Sequence, residues 1–273
     1  MQAHRKFAVA GATGRVGRHV VDVLEERGYD VVAISRSGGV DVVTGEGLTE
    51  ALAGVETVID AATGASPEQQ PATEFFTASA RNLQQLGEQA GVERIVVVSI
   101  IGIDRFTAGY YAAKQAQEQA MLAGPIPARI LRAAQFHEFV AELVDWGRQD
   151  GVSYVPKLRT QLVAARTVAE ALADLATGVE SDSAPGSNGA PIPEIAGPRE
   201  ESLVEMARLL VARRGDPVRI EGVTDPADPD GDLYESGALL PGPRATLAGP
   251  TFEEWLTAPP EAEAGPKGIP ATT

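Results

Sequence analysis

Lys6-Phe-Ala-Val-Ala-Gly11-Ala-Thr-Gly14-Arg-Val-Gly17, near the start of the 273-residue chain, is the segment that is most informative about the fold. A short apolar run ends at Gly11, and two more glycines follow at intervals of three. Such glycines let the chain reverse, let its backbone approach a pyrophosphate, and let the next helix pack closely on the strand. A helix that begins near Arg15 offers free N–H groups to that anion. A glycine turn also serves packing alone, but its place in a βαβ unit predicts a dinucleotide site.

Apolar runs alternate with helical stretches through the first 135 residues. The predicted strands are Lys6–Ala10, Asp30–Ile34, Val40–Val43, Glu56–Ala61, Arg94–Ser99 and Ala128–Arg132. The predicted helices are Arg15–Gly28, Leu48–Ala53, Thr73–Ala90 and Tyr110–Ala123, with left-handed glycines expected at Gly28, Gly54, Gly91 and Gly124. Because the strand-like runs are continuous rather than alternating, they predict strands buried on both faces of a parallel sheet. The pattern indicates an α/β fold of the Rossmann type, with a doubly wound parallel sheet.

The pattern loosens from about residue 136. The predicted helices there are Phe136–Gln149, Ala165–Thr177 and Glu200–Arg214. We expect a surface loop at Ser181–Pro193, a weakly ordered acidic loop at Glu221–Glu235, and no secondary structure after Leu256. The acidic loop carries six carboxylates and no Lys or Arg.

Composition excludes several classes of protein. The chain has no cysteine and three histidines, which argues against disulfides, a thiolate metal site, a cysteine nucleophile and a histidine-rich metal cluster. Its net charge of −15 argues against nucleic acid or an anionic membrane as the main partner. The sequence offers no signal-peptide pattern and no run of apolar residues long enough for a membrane span, so we expect a cytoplasmic protein. A monomer and a homodimer are both compatible with it.

The end of the second predicted strand bears on the choice of cofactor. A site selective for NAD carries Asp or Glu there, to bind the ribose 2′-hydroxyl. This chain instead has Ile34-Ser35-Arg36-Ser37. An Arg fork and small hydroxyls suit a 2′-phosphate, and Arg15 of the glycine loop could reach the same group. The pattern therefore predicts NADP(H), unless Arg36 is an ordinary solvated loop residue.

Four motifs occur in an order typical of one protein family. They are Gly11-Ala-Thr-Gly-Arg-Val-Gly17, Val58-Ile-Asp-Ala-Ala-Thr63, Val97-Val-Ser-Ile-Ile-Gly102 and Tyr110-Tyr-Ala-Ala-Lys114. With them, the chain resembles an atypical short-chain dehydrogenase/reductase of the NmrA-like NAD(P)-binding group, which includes quinone and isoflavone reductases. Leu131-Arg-Ala-Ala-Gln-Phe136, Leu239-Leu-Pro-Gly and Phe252-Glu-Glu-Trp255-Leu also resemble bacterial members. The similarity is specific in the N-terminal half and looser beyond it.

The resemblance implies a division of the chain into an NAD(P)-binding Rossmann core (1–135), a small substrate-binding lobe interleaved with it (136–256) and a disordered tail (257–273). Together with the patterns above, it predicts a set of cofactor-binding residues. These are Gly11, Thr13, Gly14, Arg15, Val16, Gly17, Ser35, Arg36, Ala61, Ala62, Thr63, Ser99 and Lys114. No metal site is predicted.

In the family it resembles, the pair that matches Tyr110 and Lys114 performs proton transfer, and the lysine also bonds the nicotinamide ribose. The two residues are four apart near the start of a predicted helix, so both project from one face. An ammonium beside a phenol lowers the tyrosine pKa. Tyr111 lies three residues from Lys114, so either ring could be the acid, although Tyr110 matches the family spacing. The alternative is that both aromatic residues pack at the helix start and Lys114 is solvated.

Ser99 ends a predicted strand at the edge of the sheet where ligands bind in open α/β folds. It is predicted to orient a carbonyl or to contact the nicotinamide. Ile100 and Ile101 follow it, in place of the serine-rich pattern of active reductases. This departure favours hydride transfer to a quinone or enone, or cofactor binding alone, over ketone reduction by a full Ser-Tyr-Lys triad.

Gln135, Phe136 and His137 follow the last predicted strand and are predicted to line the substrate pocket, with Trp146 further along. In the alternative interpretation, the aromatic residues are core and His137 only starts a helix. A local basic group of Lys157, Arg159 and Arg166 is either a site for an acidic substrate or a set of surface charges.

The leading hypothesis is an NADPH-dependent oxidoreductase that reduces a quinone, an enone or a ketone, with secondary metabolism as one possible setting. Hydride would come from nicotinamide C4 and a proton from the Tyr110/Lys114 pair. Two alternatives remain: an NADP(H)-binding redox sensor without turnover, and an NAD-dependent epimerase or dehydratase. Arg36 at the end of the second strand counts against the last.

Overall fold

The computed structural model describes residues 5–178 and 191–258. Its strands are β1 (Lys6–Ala10), β2 (Asp30–Ile34), β3 (Thr57–Asp60), β4 (Arg94–Ile100), β5 (Ala128–Ala133), β6 (Arg148–Gln149), β7 (Val152–Pro156), β8 (Arg159–Thr160), β9 (Glu194–Ala196), β10 (Glu201–Ser202), β11 (Arg219–Val223) and β12 (Thr246–Leu247). Its helices are α1 (Gly17–Glu26), α2 (Leu48–Ala51), α3 (Gln69–Ala90), α4 (Gly109–Leu122), α5 (His137–Trp146), α6 (Ala165–Thr177), α7 (Leu203–Arg214), α8 (Gly231–Glu235) and α9 (Phe252–Thr257).

Within these ranges, seven parallel strands form the central sheet in the order β12-β9-β5-β4-β3-β1-β2. β1 lies between β2 and β3, so the chain moves to one side of β1 first and then to the other. A ligand crevice forms at such a reversal, outside the carboxyl ends of the strands. The predicted Rossmann-type, doubly wound fold is confirmed.

Helices cover both faces of this sheet. Phe7 and Val9 of β1 belong to the apolar core beneath α1 and α6, whereas Ala8 and Ala10 belong to the core beneath α3 and α4. Successive residues of a strand point to opposite faces, so a continuous apolar run fills both cores at once. This is the physical reason that the strands of the sheet read as unbroken hydrophobic blocks.

The segments after residue 136 contribute both to the main sheet and to a smaller lobe. β9 and β12 extend the sheet, and α6 packs on α1. The lobe contains a three-stranded sheet in the order β11-β7-β6 and the β8–β10 pair. Its core lies between α5, α7 and these strands, with Val140, Val155 and Leu210 among its buried residues.

The predicted strand Val40–Val43 is wrong. The Asp41 carboxylate accepts hydrogen bonds from the N–H groups of Val43 and Thr44 at 2.7 and 3.2 Å, which bends the chain into a turn. The Asn82 amide then donates to the carbonyls of Val42 and Val43. Side chains thus satisfy backbone groups that a strand would pair, and the sheet ends at β2.

Two further expectations about local structure need correction. Gly28, Gly54 and Gly91 have positive φ as predicted, but Gly124 does not. A Cβ at Gly124 would instead overlap the Gln84 side chain, whose amide bonds the Met121 and Ile126 backbone. Gly124 is therefore required for space rather than for a left-handed conformation.

The predicted acidic loop Glu221–Glu235 is also largely wrong, because it contains the end of β11 and the whole of α8. Its carboxylates accept local backbone N–H bonds, as Asp225 does from Ala227. Several helix bounds differ by a few residues: Phe136–Gln149 is helical only as α5, and Glu200–Arg214 only as α7. Residues 181–190 and 259–273, where most of the predicted surface loop and tail fall, lie outside the described residues.

Between residues 5 and 178 and between 191 and 258, no helix has the length and apolarity needed to cross a bilayer.

Candidate functional site

The glycine loop between β1 and α1 packs tightly against its neighbours. Gly11 has φ +76°, and a Cβ there would lie 2.7 Å from the Ala61 carbonyl oxygen. A Cβ on Gly17 would overlap the Gly11 carbonyl. The N–H groups of Gly11 and Ala12 donate to the Ile34 carbonyl at 3.1 and 3.2 Å. The loop is therefore fixed between the ends of β2 and β3, where only glycine fits at positions 11 and 17.

The same loop leaves donors free for an anion. Among the described residues, the N–H groups of Thr13, Arg15 and Val16 donate to no hydrogen-bond acceptor. Thr13 is exposed and Arg15 is half-buried, so the loop is open to solvent. Unpaired N–H groups at the positive end of α1 fit a pyrophosphate. The residues present are thus compatible with a dinucleotide at this position.

The end of β2 carries the residues predicted to bind a 2′-phosphate. Ser35 Oγ accepts the Gly38 N–H at 3.2 Å and lies 3.1 Å from Ser37 Oγ. Arg36 is exposed and, in the part of the chain that the structure describes, its side chain forms no hydrogen bond or ion pair. Its guanidinium is therefore available to a phosphate.

Arg15 does not join Arg36. Its guanidinium pairs with Glu142 on α5 and lies 5.8 and 5.7 Å from the ring centres of Phe136 and Phe139. The Arg15 side chain is therefore directed toward α5.

Tyr110 lies at the carboxyl edge of the sheet. Its hydroxyl is 3.0 Å from Thr63 Oγ1, and its ring packs edge-on to Phe76. Burial raises the pKa of Tyr110, opposed by the Thr63 hydrogen bond and by the charge of Arg15. The direction is opposite to the one predicted from the Tyr–Lys spacing.

Lys114 lies in the interior, with 5% of its surface exposed. Its ammonium donates to the Val98 carbonyl at 2.9 Å and to Gln117 Oε1, and it lies 4.7 Å from the Phe76 ring centre. Burial lowers the pKa of Lys114 to about 8, while Asp60 and Glu118 act in the opposite direction. Within the described ranges no hydrogen bond joins Lys114 to Tyr110, which accounts for the difference in the tyrosine pKa.

Tyr111 has different surroundings from its neighbour. Its ring centre lies 4.5 Å from that of Phe106 and 6.0 Å from that of Tyr234. Burial strongly raises the pKa of Tyr111, and the Gln135 side chain beside its hydroxyl only partly opposes this. Of the two tyrosines, Tyr110 is the one that lies next to the loop after β3.

Ser99 is buried, and its Oγ has no hydrogen-bond partner among the described residues. Val97 contributes to the core beneath α3 and α4. Ser99 is two residues further along β4, so it points to the same face, which also carries Lys114. The strand pattern thus places both predicted residues on one side of the sheet.

The three predicted pocket residues separate in the structure. Gln135 is buried, and its Oε1 accepts a hydrogen bond from Thr160 Oγ1. Phe136 is half-buried beside Arg15. His137 is fully buried and packs on α9, 5.4 Å from the ring centre of Phe252, with its Nε2 3.1 Å from the Pro250 carbonyl. The geometry therefore makes His137 an interior residue rather than a pocket wall.

Trp146, at the end of α5, is 65% exposed and packs edge-on to Phe139.

The predicted basic group does not form. Lys157 and Arg159 line a cavity of about 380 Å³ together with Arg208, whereas Arg166 pairs with Glu26 and Glu170 elsewhere.

Sequence reasoning missed three residues around the site. Gln117 accepts a hydrogen bond from Lys114 and donates one to Asp60. Its spacing of one helical turn after Lys114 could have indicated the contact with the lysine. Asp230 accepts hydrogen bonds from the N–H groups of Thr107 and Ala108 and so holds the segment just before α4. Nothing local marked Asp230, because its partners lie more than a hundred residues away.

A family described as NAD(P)H-binding matches residues 11–177. No curated protein matches the chain. Solved structures of similar fold include MoeE5 in complex with UDP-glucose and NAD, at 19% identity and TM-score 0.61, covering 89% of each chain.

Two further structures are similar over almost their whole length. TunA, an NAD-dependent NDP-hexosamine 5,6-dehydratase involved in tunicamycin biosynthesis, shares 15% identity and a TM-score of 0.63, covering 92% of this chain and 95% of TunA. UDP-glucuronic acid 4-epimerase from Bacillus cereus, in complex with UDP-glucuronic acid and NAD, shares 14% identity and a TM-score of 0.64, covering 92% and 96%. At these identities the likeness is one of fold.

The family match spans more than half of the chain and includes the glycine loop, the segment after β3 and all of α4. Together with the seven-stranded sheet, it confirms the resemblance to short-chain dehydrogenase/reductases that the motif order indicated. The chain belongs to the NAD(P)H-binding family and has the fold of the short-chain dehydrogenase/reductase superfamily.

Proposed function

We propose that this chain is an NADP(H)-dependent oxidoreductase of the NmrA-like group, acting in the cytoplasm. It would transfer hydride between the nicotinamide and a quinone, an enone or a carbonyl carbon of a small molecule. The observation that carries the proposal is the Tyr110 hydroxyl, held by Thr63 at the carboxyl edge of the sheet beside the glycine loop. This is where ligands bind in doubly wound folds.

Each residue of the site would have its own part in the reaction. The nicotinamide, when bound, supplies or accepts the hydride. Because burial raises the pKa of Tyr110, the phenol stays protonated at neutral pH and can donate its proton to a reduced substrate oxygen. Thr63 orients the hydroxyl, and Lys114 would hold the nicotinamide ribose. Ser99, whose buried Oγ has no hydrogen-bond partner in the described structure, lies on the same face of the sheet.

The choice of NADP(H) rests on the end of β2. Arg36 is exposed and unpaired within the described residues, with two serine hydroxyls beside it. A guanidinium binds phosphate through two parallel hydrogen bonds, and no carboxylate stands at this position to bind a ribose 2′-hydroxyl.

A second candidate is an epimerase or dehydratase that keeps its NAD bound and regenerates it in each turnover. The solved structures of similar fold favour it, because they include NAD-dependent enzymes that act on nucleotide-linked sugars. Both candidates use hydride transfer and an acid–base tyrosine, so they differ in the fate of the cofactor. A redox sensor that binds the cofactor without turnover would share the same site.

One experiment separates the three. Purified protein is mixed with NADPH or NADH and a panel of quinones, enones and ketones, and separately with NAD and UDP-glucose or UDP-glucuronic acid. Stoichiometric oxidation of NADPH supports the oxidoreductase. Conversion of a nucleotide sugar with catalytic NAD supports the epimerase or dehydratase and overturns the first proposal. Tight binding of NADPH with no conversion of any compound supports the sensor.

A further inference from the structure

A buried polar chain connects Lys114 to the end of β3. Gln117 lies one turn after Lys114 on α4, and its Oε1 accepts a hydrogen bond from the lysine ammonium. Its Nε2 donates to Asp60 Oδ2 at 2.9 Å. The Gln117 amide thus connects the buried Lys114 ammonium to the buried Asp60 carboxyl group.

The other charges near Lys114 are already engaged. Glu118, on the same helix, forms a two-pronged pair with Arg132 of β5, with N···O distances of 3.0 and 2.8 Å. Arg132 also bonds Asp104. The remaining neighbours of the ammonium are the Phe76 ring and the Val98 carbonyl. Asp60 is therefore the carboxylate left to balance the lysine.

The same carboxylate holds the segment that positions the tyrosine. Asp60 Oδ1 accepts the Ala62 N–H at 3.1 Å, and the next residue, Thr63, bonds the Tyr110 hydroxyl. Tyr110 lies one helical turn before Lys114 on α4. The contacts form a closed ring that runs from the lysine through Gln117, Asp60 and Thr63 back to the helix.

We propose that Gln117 is a positioning residue: its amide couples the Lys114 ammonium to Asp60, which keeps the lysine charged and aligned with the segment that holds Tyr110. The coupling is a property of the chain itself. Its role in turnover rests on the proposed function.

The coupling predicts the direction in which the pKa of Lys114 changes when Gln117 is replaced. Burial lowers the pKa of Lys114 to about 8, and Asp60 acts against it. Burial likewise raises the pKa of Asp60, opposed by the Ala62 N–H, Lys114 and Gln117. An amide that bonds both charged forms stabilises both. Removing it should lower the lysine pKa, and replacing it with a carboxylate should raise it.

The chain has four lysines, Lys6, Lys114, Lys157 and Lys267, so each can be followed by NMR after labelling with ¹³Cε-lysine. The missing signal of Lys114→Arg assigns the resonance. We expect the Lys114 pKa to fall by about one unit in Gln117→Leu and to rise by about one unit in Gln117→Glu. Gln119→Leu, an exposed position on the same helix, should leave it unchanged.

Opposite shifts in the two Gln117 variants support the coupling, because a purely structural defect would not change sign with the charge of the replacement. Unchanged values, or shifts in the same direction, overturn it. If Gln117→Leu fails to fold, the upward shift in Gln117→Glu decides alone. The pH at which NADPH affinity is lost should move with the lysine pKa in the same variants.

These titrations use protein without cofactor, so they separate the two proposals. Opposite shifts with no conversion of any substrate leave the coupling intact and overturn the oxidoreductase. Substrate turnover together with an unchanged Lys114 pKa in the Gln117 variants overturns the coupling alone.

Discussion

The hydroxyl of Tyr110 lies 3.0 Å from Thr63 Oγ1, across 47 positions of sequence. This contact joins the first turn of α4 to the segment that follows β3, and it holds the phenol at the carboxyl edge of the sheet. Tyr111, the next residue, packs instead among Phe106 and Tyr234. Two adjacent tyrosines therefore have different surroundings.

Tyr110→Phe is expected to lower kcat/KM by a factor of about 10² to 10⁴, the usual contribution of a positioned general acid. Tyr111→Phe is the matched control, since it keeps the ring contacts with Phe106 and Tyr234 and removes only the hydroxyl. Steady-state kinetics with the substrate found in the panel above measure both. A larger loss of kcat/KM in Tyr111→Phe than in Tyr110→Phe would show that Tyr111 is the acid and would contradict the assignment to Tyr110.

Arg36→Ala should weaken NADPH binding about tenfold or more and leave NADH binding unchanged, because only NADPH carries the 2′-phosphate. The comparison is a fluorescence titration of each nucleotide. Arg27→Ala is the control: it also removes one surface guanidinium, one that pairs with Asp174 on α6. An equal loss of affinity for NADPH and NADH in Arg36→Ala would contradict the choice of NADP(H) as the cofactor.

Asp230→Ala is expected to lower the free energy of unfolding by about 2 kcal/mol. The Asp230 carboxylate accepts from Thr107 N, Ala108 N and Thr107 Oγ1 at 2.7, 2.9 and 3.0 Å, at the start of the helix that carries Tyr110. Asp232→Ala, an exposed acid two residues away, should have little effect. Urea denaturation of both variants tests this, and similar free energies of unfolding for the two would mean that the Asp230 hydrogen bonds contribute little to stability.

His137 makes the protein sensitive to acid. Burial lowers the pKa of His137 to about 4, from an ordinary value of 6.5. Because the unfolded chain takes up the proton first, this residue destabilises the fold as the pH falls from about 6.5 to 4, by up to about 3 kcal/mol. Above pH 6.5 it has no such effect.

His137→Phe keeps the aromatic contacts with Phe252 and Trp255 and cannot be protonated. Its free energy of unfolding should therefore fall less steeply than that of the parent between pH 6.5 and 4. Denaturant titrations at several pH values give the two slopes. Parallel slopes would show that the imidazole does not titrate on unfolding.

Local sequence patterns were sufficient to predict strands β1 to β5, the glycine loop and the helix that carries the Tyr–Lys motif, but not β9 and β12 at the edge of the sheet. β1 and β2 have the predicted bounds, as does α6, because apolar runs and glycine positions act over a few residues. The same local rules predicted a strand at Val40–Val43 and missed the turn there, since the Asn82 amide that bonds its carbonyls lies about 40 positions away.

The arrangement of the site depends on contacts between segments that are distant in sequence. The tertiary structure separated Tyr110 from Tyr111, turned Arg15 toward Glu142 and away from Arg36, and buried His137 against α9. It paired Gln117 with Asp60 across 57 positions and Thr107 with Asp230 across 123. Residue spacing along a helix or strand reports which side chains share a face, whereas the partner and the burial that shift a pKa come from packing between distant segments.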